Sequence, residues 1–410
     1  MDLFSLLTQG FRRSVLGRFD SSIWIITSIR LLTSAGFSIC LPFLALYLYQ
    51  ERDLPMALVG TIILAGGLCA AVSQTVGGVL SDRLGRRRLL LAALGISVVL
   101  YAGLSVLIGF SAPIWAIAIT YIAGRSVLMT IQPTVSAMVA DLSPEKRLTE
   151  AYGLMRVGGN VGWAAGPALG GYLATFVSYG WLFGVAAVAT ALAFWLVLLL
   201  VRESYHGEGD RADFRSVLSV AANRTFLAFV GLSLLVFLGM AHLGSTLSVF
   251  TVDRLGFSTA QYGLLLTVNG LIVVCFQYPV ARGIDWLGKA RSLILGGLLY
   301  GIGYLWFGWI GSFGWALGAI AVVTAGEIVF APTTLSVVSD LSPRDWRGRY
   351  MGFFGLSQTL GISLGPLLGG VLLDAFPYDP PFIWGTIAAV SFLAAAGFHR
   401  WDVWRRAKST

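Results

Sequence analysis

The chain has 410 residues, of which 57% are hydrophobic and 12% are charged, and its formal net charge is +8. An ordinary soluble domain is about 25% charged, so this composition excludes a soluble enzyme and indicates a polytopic membrane protein. The three cysteines lie far apart inside apolar segments and fit neither a disulfide framework nor a metal site: Cys40, Cys69 and Cys275.

Apolar runs of about 20 residues or more, each able to cross roughly 30 Å of hydrocarbon, predict twelve transmembrane helices. In chain order we expect them at residues 23–49, 56–81, 89–110, 113–140, 150–178, 181–201, 225–252, 260–283, 292–311, 314–339, 349–374 and 381–399. With the N-terminus inside, only Arg52 and Arg254 fall in outside loops. The positive-inside rule therefore predicts a plasma (inner) membrane protein with both termini cytoplasmic, and the basic excess indicates orientation rather than nucleic-acid binding.

A polar stretch in the middle of the chain separates six helices from six. We therefore predict an N-terminal bundle at 1–202, a cytoplasmic linker at 203–224 and a C-terminal bundle at 225–410. Part of the linker forms either a short amphipathic helix on the membrane surface or a solvated connection.

The two predicted bundles repeat each other in sequence. A shift of 199 residues aligns Gly166–Gly171 with Gly365–Gly370, and a shift of 203 aligns Asp82–Gly85 with Asp285–Gly288. Matches at nearly one offset indicate a parallel duplication. The sequence thus predicts an all-α fold of two pseudo-symmetric six-helix bundles with a cavity between them, which is a transporter architecture.

The loop after the second helix has a distinctive pattern. Residues 78–88 are Gly-Val-Leu-Ser-Asp-Arg-Leu-Gly-Arg-Arg-Arg, and residues 283–291 are a degenerate copy. This pattern resembles the signature loop of the major facilitator superfamily. The resemblance implies a conformational latch formed by Gly78, Asp82, Arg83, Gly85, Arg86, Asp141 and Asp285, in which the arginines reach Asp141. The alternative is that the arginines only anchor the loop on the inner side.

The fifth predicted helix is rich in small residues. Gly162, Gly166, Pro167, Gly170 and Gly171 are similar to the antiporter motif of twelve-helix drug:proton antiporters in that superfamily. The resemblance implies export. The alternative is helix packing, since glycines four apart allow close approach and a copy occurs on the eleventh helix.

Four ionisable groups lie inside predicted helices 1, 4, 7 and 10: Arg30, Arg125, His242 and Glu327. A charge near the bilayer centre costs about 2.5–3.5 kcal/mol on insertion scales, so such groups normally face a wet cavity or a partner. The resemblance implies that these four helices line the cavity, together with aromatic residues such as Phe37 and Tyr121. Glu327, Arg125 and His242 are then the candidates for proton coupling.

Structural alternatives stay open for each candidate. Glu327 could be paired permanently with Arg30 or Arg125, and His242 could hold neighbouring helices together by a hydrogen bond. Many drug antiporters of this type carry a deep acidic residue in the first bundle, and this chain has none there.

We therefore expect a monomeric secondary transporter that exports amphipathic small molecules or drugs in exchange for protons within the bilayer. The alternatives are a symporter or facilitator for a sugar, sugar phosphate or organic anion, and a non-transporting receptor on the same scaffold. The sequence contains no HExxH, nucleophile-elbow or phosphate-loop motif, so neither enzymatic activity nor a cofactor or metal is expected.

Overall fold

The computed structural model describes residues 21–143, 148–204, 219–343 and 346–407. Within this part the chain contains no strand and is built from long helices. The first six are α1 (Ser21–Leu46), α2 (Met56–Leu84), α3 (Arg86–Gly109), α4 (Ile114–Leu142), α5 (Leu148–Leu173) and α6 (Tyr179–Leu200). The second six are α7 (Arg224–Met240), α8 (Thr259–Leu287), α9 (Lys289–Phe307), α10 (Phe313–Leu341), α11 (Arg347–Ala375) and α12 (Pro380–Ala407). The predicted amphipathic helix of the linker lies outside the described residues.

Eleven described helical segments are long and apolar enough to cross a membrane, and the seventh of the twelve spans is the whole segment Arg224–Arg254, of which α7 is the first part. The exception is α5, whose many glycines and whose Arg156 and Asn160 make it less apolar. It has 26 residues, which is long enough to span the hydrocarbon layer at 1.5 Å per residue. The predicted all-α fold of twelve spans is therefore confirmed.

The duplication is visible in the backbone. Gly85 and Gly288, 203 positions apart, both adopt positive φ (91° and 87°) in the tight turns that follow α2 and α8. A side chain is strained in this conformation, which explains glycine at both places. The C-terminal ends of the first and seventh spans also match, because each closes with a π-helical turn, Tyr47–Glu51 and Phe250–Arg254.

The seventh span was expected to be one continuous helix, and that expectation is wrong. After α7 the chain forms a 3₁₀ turn at Ala241–Gly244, breaks at Ser245 (φ −138°, ψ −62°) and resumes as a short helix at Thr246–Val249. The matching position of α1 is Pro42, which lies inside a helix. Both halves therefore interrupt regular hydrogen bonding at the same depth, one with a proline and the other with a break.

Glycines of α5 and α11 pack closely against neighbouring helices. A Cβ on Gly162 would contact the Leu31 carbonyl of α1, and one on Gly361 would lie 2.8 Å from the Leu234 carbonyl of α7. Gly171 instead packs across the two halves, against Thr259 at the start of α8. The glycine motif therefore brings backbones together, both within a half and between the halves.

The two halves touch at one end of the bundle, which we call the Asp374 end. Hydrogen bonds between described residues of different halves all lie in the part of the helices nearest this end. Towards the opposite end, which carries Gly85 and Gly288 and which we call the Gly85 end, a Cβ on Gly78, Gly153 or Gly355 would meet nothing within 4 Å. The structure is therefore closed at the Asp374 end, and space remains between the facing helices at the Gly85 end.

Two related contacts close the Asp374 end. Asp374, at the end of α11, accepts hydrogen bonds from the first two backbone N–H groups of α2, Met56 N (2.9 Å) and Ala57 N (2.7 Å). At the positions related by the duplication, Thr259 donates to the Gly171 carbonyl (3.1 Å) and its Oγ1 lies 3.4 Å from that of Thr175. One contact is therefore an anionic cap on a helix N-terminus, whereas its counterpart is made of neutral hydroxyls.

Candidate functional site

A cavity in the N-terminal half is lined by two of the predicted residues, Arg30 and Phe37. It has a volume of about 130 Å³ and lies between α1, α4 and α5. Its lining is Arg30, Thr33, Ser34, Phe37, Leu128, Met129, Ile131, Gln132 and Trp163. The lining combines a cation, short hydroxyls, an amide and two aromatic rings, so it can contact an amphipathic molecule.

Arg125 is held by an aromatic stack beside this cavity. Its guanidinium carbon lies 4.5 Å from the centroid of the Phe37 ring, and Phe37 stacks on Trp163 at 5.9 Å with an interplanar angle of 29°. The Nη1 atom of Arg125 is buried and has no hydrogen-bond partner. A desolvated cation on an aromatic face is stabilised by about 2 kcal/mol, but the unpaired N–H still favours an incoming acceptor.

Tyr121 and Arg125 line a second, smaller cavity behind Phe37, between α1, α3, α4 and α6. Tyr121 is only 5% exposed. Phe37 lines both cavities and therefore forms part of the wall between them. The structure thus places Phe37 beside the larger cavity and Tyr121 in the interior of the half.

Arg30 crosses from α1 towards α5. A Cβ on Gly159 would lie 3.3 Å from its Nε atom, so the missing side chain at Gly159 makes room for the guanidinium. Among the described residues, neither Arg30 nor Arg125 forms an ion pair. The cavity therefore has an excess of positive charge.

Glu327 lies half-buried on α10 in the other half. Its Oε2 atom accepts a hydrogen bond from Asn269 Nδ2 of α8 at 3.0 Å, and the same amide nitrogen lies 2.9 Å from Thr324 Oγ1. Within the described part of the chain no cation pairs with Glu327, so the alternative of a permanent pair with Arg30 or Arg125 is wrong for this conformation. A neutral partner can stay in place whether the carboxyl is charged or protonated.

His242 lies inside the C-terminal half, at the interruption of the seventh span. Its side chain is fully buried, and Nδ1 lies 2.9 Å from Thr246 Oγ1 one turn further on. The ring packs edge-on against Tyr304 of α9 at 6.2 Å. These contacts fasten the broken segment, and in this conformation the ring has no exposed surface through which a cavity could reach it.

The predicted latch loop is anchored at the Gly85 end. Arg86 Nε lies 3.2 Å from Asp141 Oδ2, and the same arginine donates to Ser81 Oγ at 2.9 Å. The duplicated pair Lys289 and Asp340 makes the matching contact at 2.6 Å. Arg83 is exposed on the same loop, and Gly78 faces open space. The side chains of Asp82 and Asp285 lie outside the described part of the structure.

Three residues of these sites were not identified from the sequence. Asn269 is a lone amide inside an apolar span, which is a signal for an interhelical hydrogen bond. Trp163 lies three residues before Gly166 in a motif that directs attention to glycine. Asp374 lies at a helix end, where an acidic residue has no distinctive pattern, so only the folded chain shows what it caps.

Twelve helices in two duplicated sets, closed at one end and carrying ionisable groups at an internal cavity, define the class of alternating-access membrane transporters. The sequence model of the Major Facilitator Superfamily matches residues 26–366 and 232–408. The chain belongs to this superfamily, and it is an integral membrane protein and a transporter.

Relatives and solved structures agree with this assignment. The chain is 25% identical to the quinolone resistance protein NorA of Staphylococcus aureus, over 85% of this chain and 89% of that protein. It is also 25% identical to a Na⁺, Li⁺, K⁺/H⁺ antiporter of Planococcus maritimus, over 89% and 91%. Among solved structures, it is similar to a mutant of the nucleoside transporter NupG, with a TM-score of 0.80, 13% identity, and coverage of 93% of this chain and 100% of that one. This last likeness shows the fold alone.

Proposed function

We propose that the protein is a proton-coupled exporter of amphipathic small molecules. The observation that carries this proposal is Glu327, a half-buried carboxylate held by the neutral Asn269 and by no cation among the described residues. Such a group can gain and lose a proton without breaking an ion pair. The likeness to a quinolone resistance protein supports export, and the likeness to a cation/proton antiporter supports coupling to protons.

The proposed mechanism is alternating access by the bundles 1–202 and 225–410, joined by the linker 203–224. The positive-inside rule places the Gly85 end in the cytoplasm, so the structure corresponds to an inward-facing state. Substrate enters from this side and lies against Phe37 and Trp163. Protonation of Glu327 from outside displaces the substrate, and release of that proton inside resets the carrier. The contact between Arg86 and Asp141 acts in the latch that forms when the Gly85 end closes.

The energy available limits what coupling can achieve. One pH unit is worth about 1.4 kcal/mol per proton, which is about a tenfold accumulation of substrate for one-for-one exchange. The membrane potential adds about 2.3 kcal/mol per 100 mV for each net charge moved. Loss of coupling should therefore abolish accumulation against a gradient while leaving exchange of substrate between the two sides.

The test compares Glu327→Gln with Glu327→Asp in proteoliposomes. The probe is an uncharged aromatic compound found by thermal shift, because the positive charge at the cavity repels a lipophilic cation. We expect Glu327→Gln to lose accumulation driven by a pH gradient and to retain substrate counterflow, whereas Glu327→Asp regains part of the accumulation. Unchanged uphill transport in Glu327→Gln would remove this residue from the mechanism. Loss of counterflow as well would assign Glu327 to substrate binding.

A second candidate function is uptake or facilitated movement of an organic anion. The specific observation is the Nη1 atom of Arg125, which has no hydrogen-bond partner. It lies beside the cavity that Arg30 lines. Both guanidinium groups can donate to a carboxylate or phosphate. Counterflow of an aromatic carboxylate, measured with and without a pH gradient, distinguishes this function from proton-driven export.

A further inference from the structure

A groove on the surface at the Gly85 end shares no lining residue with the cavity beside Phe37. It has a volume of about 800 Å³ and lies between the turn that joins α2 to α3 and the end of α6. Its lining is Arg83, Leu84, Gly85, Arg87, Arg88, Leu198, Leu199, Leu200, Val201, Arg202 and Glu203. Arginines and leucines therefore lie side by side where α2 and α6 end and α3 begins.

The two walls of the groove are fixed to each other by reciprocal helix caps. Glu203 accepts hydrogen bonds from the backbone N–H groups of Arg86 (2.9 Å) and Arg87 (3.2 Å) at the start of α3. In return, Arg87 donates from Nε to the Val201 carbonyl (2.7 Å) and from Nη2 to the Leu198 carbonyl (2.9 Å) at the end of α6. Both charges are thus engaged by backbone groups, and the groove is a formed feature of the fold.

The remaining cations in the groove are exposed. Arg83, Arg88 and Arg202 form no ion pair with any described residue. Beside them, Leu84, Leu199 and Leu200 expose 51%, 72% and 53% of their surface. Three guanidinium groups next to three apolar side chains form an amphipathic surface whose positive charge no described residue pairs.

The other half does not reproduce this charge pattern. At the end of α12, which corresponds to the end of α6, Asp402 pairs with Arg405 at 3.6 Å and with Arg406 at 2.7 Å. Arg291 at the start of α9 occupies the position that corresponds to Arg88 under the 203-residue shift. Like Arg88, Arg291 forms no ion pair with a described residue, so the other half keeps one such cation at this place where the N-terminal half has a cluster of three.

We propose that this groove binds a phospholipid with an anionic headgroup, such as phosphatidylglycerol. Arginine N–H groups donate to the phosphate oxygens in charge-assisted hydrogen bonds, and the leucines contact the upper part of the acyl chains. Basic pockets at the ends of membrane helices recognise anionic lipid in this way. A lipid bound here touches both α6 and the α2–α3 turn next to the pair of Arg86 and Asp141, so it stabilises the loop in its present position.

The test measures lipid binding to the purified full-length protein in neutral detergent. Phosphatidylglycerol and phosphatidylcholine are titrated separately and the bound lipid is counted by native mass spectrometry. The test variant is Arg88→Gln/Arg202→Gln, and Arg88→Lys/Arg202→Lys keeps the charge. Arg291→Gln removes one charge at the matching place in the other half. Melting temperature in phosphatidylcholine verifies that each variant is folded.

We expect preferential binding of phosphatidylglycerol, weakened about fivefold for each arginine removed, since one such residue contributes about 1 kcal/mol. The lysine variant should keep most of the binding, and Arg291→Gln all of it. Two outcomes overturn the proposal in favour of general attraction to basic surface. One is equal binding of both lipids, and the other is an equal loss of lipid binding in the glutamine variant and in Arg291→Gln. Displacement of the lipid by millimolar inorganic phosphate also overturns it, because the site then recognises phosphate alone. If the glutamine variant does not fold, loss of selective binding in the folded lysine variant decides against the charge-based site.

Discussion

The Asp374 end closes through an anionic cap, and its removal should open the transporter there. Asp374→Ala removes both hydrogen bonds to the first N–H groups of α2. Loss of an N-cap costs about 1 kcal/mol, and loss of an anion at a helix N-terminus costs about 0.3–1 kcal/mol more. Because Asp374 is exposed to solvent, we expect the closed state to lose about 1–2 kcal/mol of stability relative to the open state. The ratio of closed to open molecules at this end should then fall by about five- to thirtyfold.

Distances between spin labels on the two halves report this change directly. Phe110, after α3, and Trp309, after α9, are exposed at the Asp374 end at 84% and 57% and suit labelling as cysteines. The exposed native Cys69 and Cys275 are replaced by serine, and the buried Cys40 is kept. In Asp374→Ala we expect a new population at longer distance.

The matched control is Asp379→Ala at the same end of the bundle. Asp379 also caps a helix, accepting from the Phe382 N–H at 3.0 Å, but it does so within the C-terminal half. Its loss should lower stability by a similar amount and leave the distance distribution unchanged. If Asp374→Ala also leaves the distribution unchanged, or if both variants change it alike, the cap does not hold the halves together and the reasoning is refuted.

Two further predictions concern packing and the buried histidine. Gly171→Ala should favour the form open at the Asp374 end, because its Cβ would collide with the Thr259 carbonyl across the halves; Gly355→Ala, which has open space, is the control in the same labelling assay. His242→Asn should lower the melting temperature by loosening the bond to Thr246 and leave the pH dependence of transport as it is; a shifted pH profile in a folded variant would return His242 to the coupling mechanism.

The sequence determined the number of spans and their duplication because both are linear signals. Helix length is set by bilayer thickness, and the glycines that end α2 and α8 respond to a local backbone requirement. The sequence also identified Arg30, Arg125 and Glu327 as unusual, since few charges occur at that depth. Identifying a group as unusual does not identify its partner.

Only the tertiary structure decided which groups meet. Glu327 could be assigned a cation from the sequence, yet it lies against Asn269 on α8, and Asp374 caps a helix that begins 318 residues earlier in the chain. The physical reason is that hydropathy defines how long a helix is but leaves its rotation and tilt open, and these are set by packing against its neighbours. The break at Ser245 arises in the same way, since no proline marks it and tertiary contacts of the seventh span hold it in place.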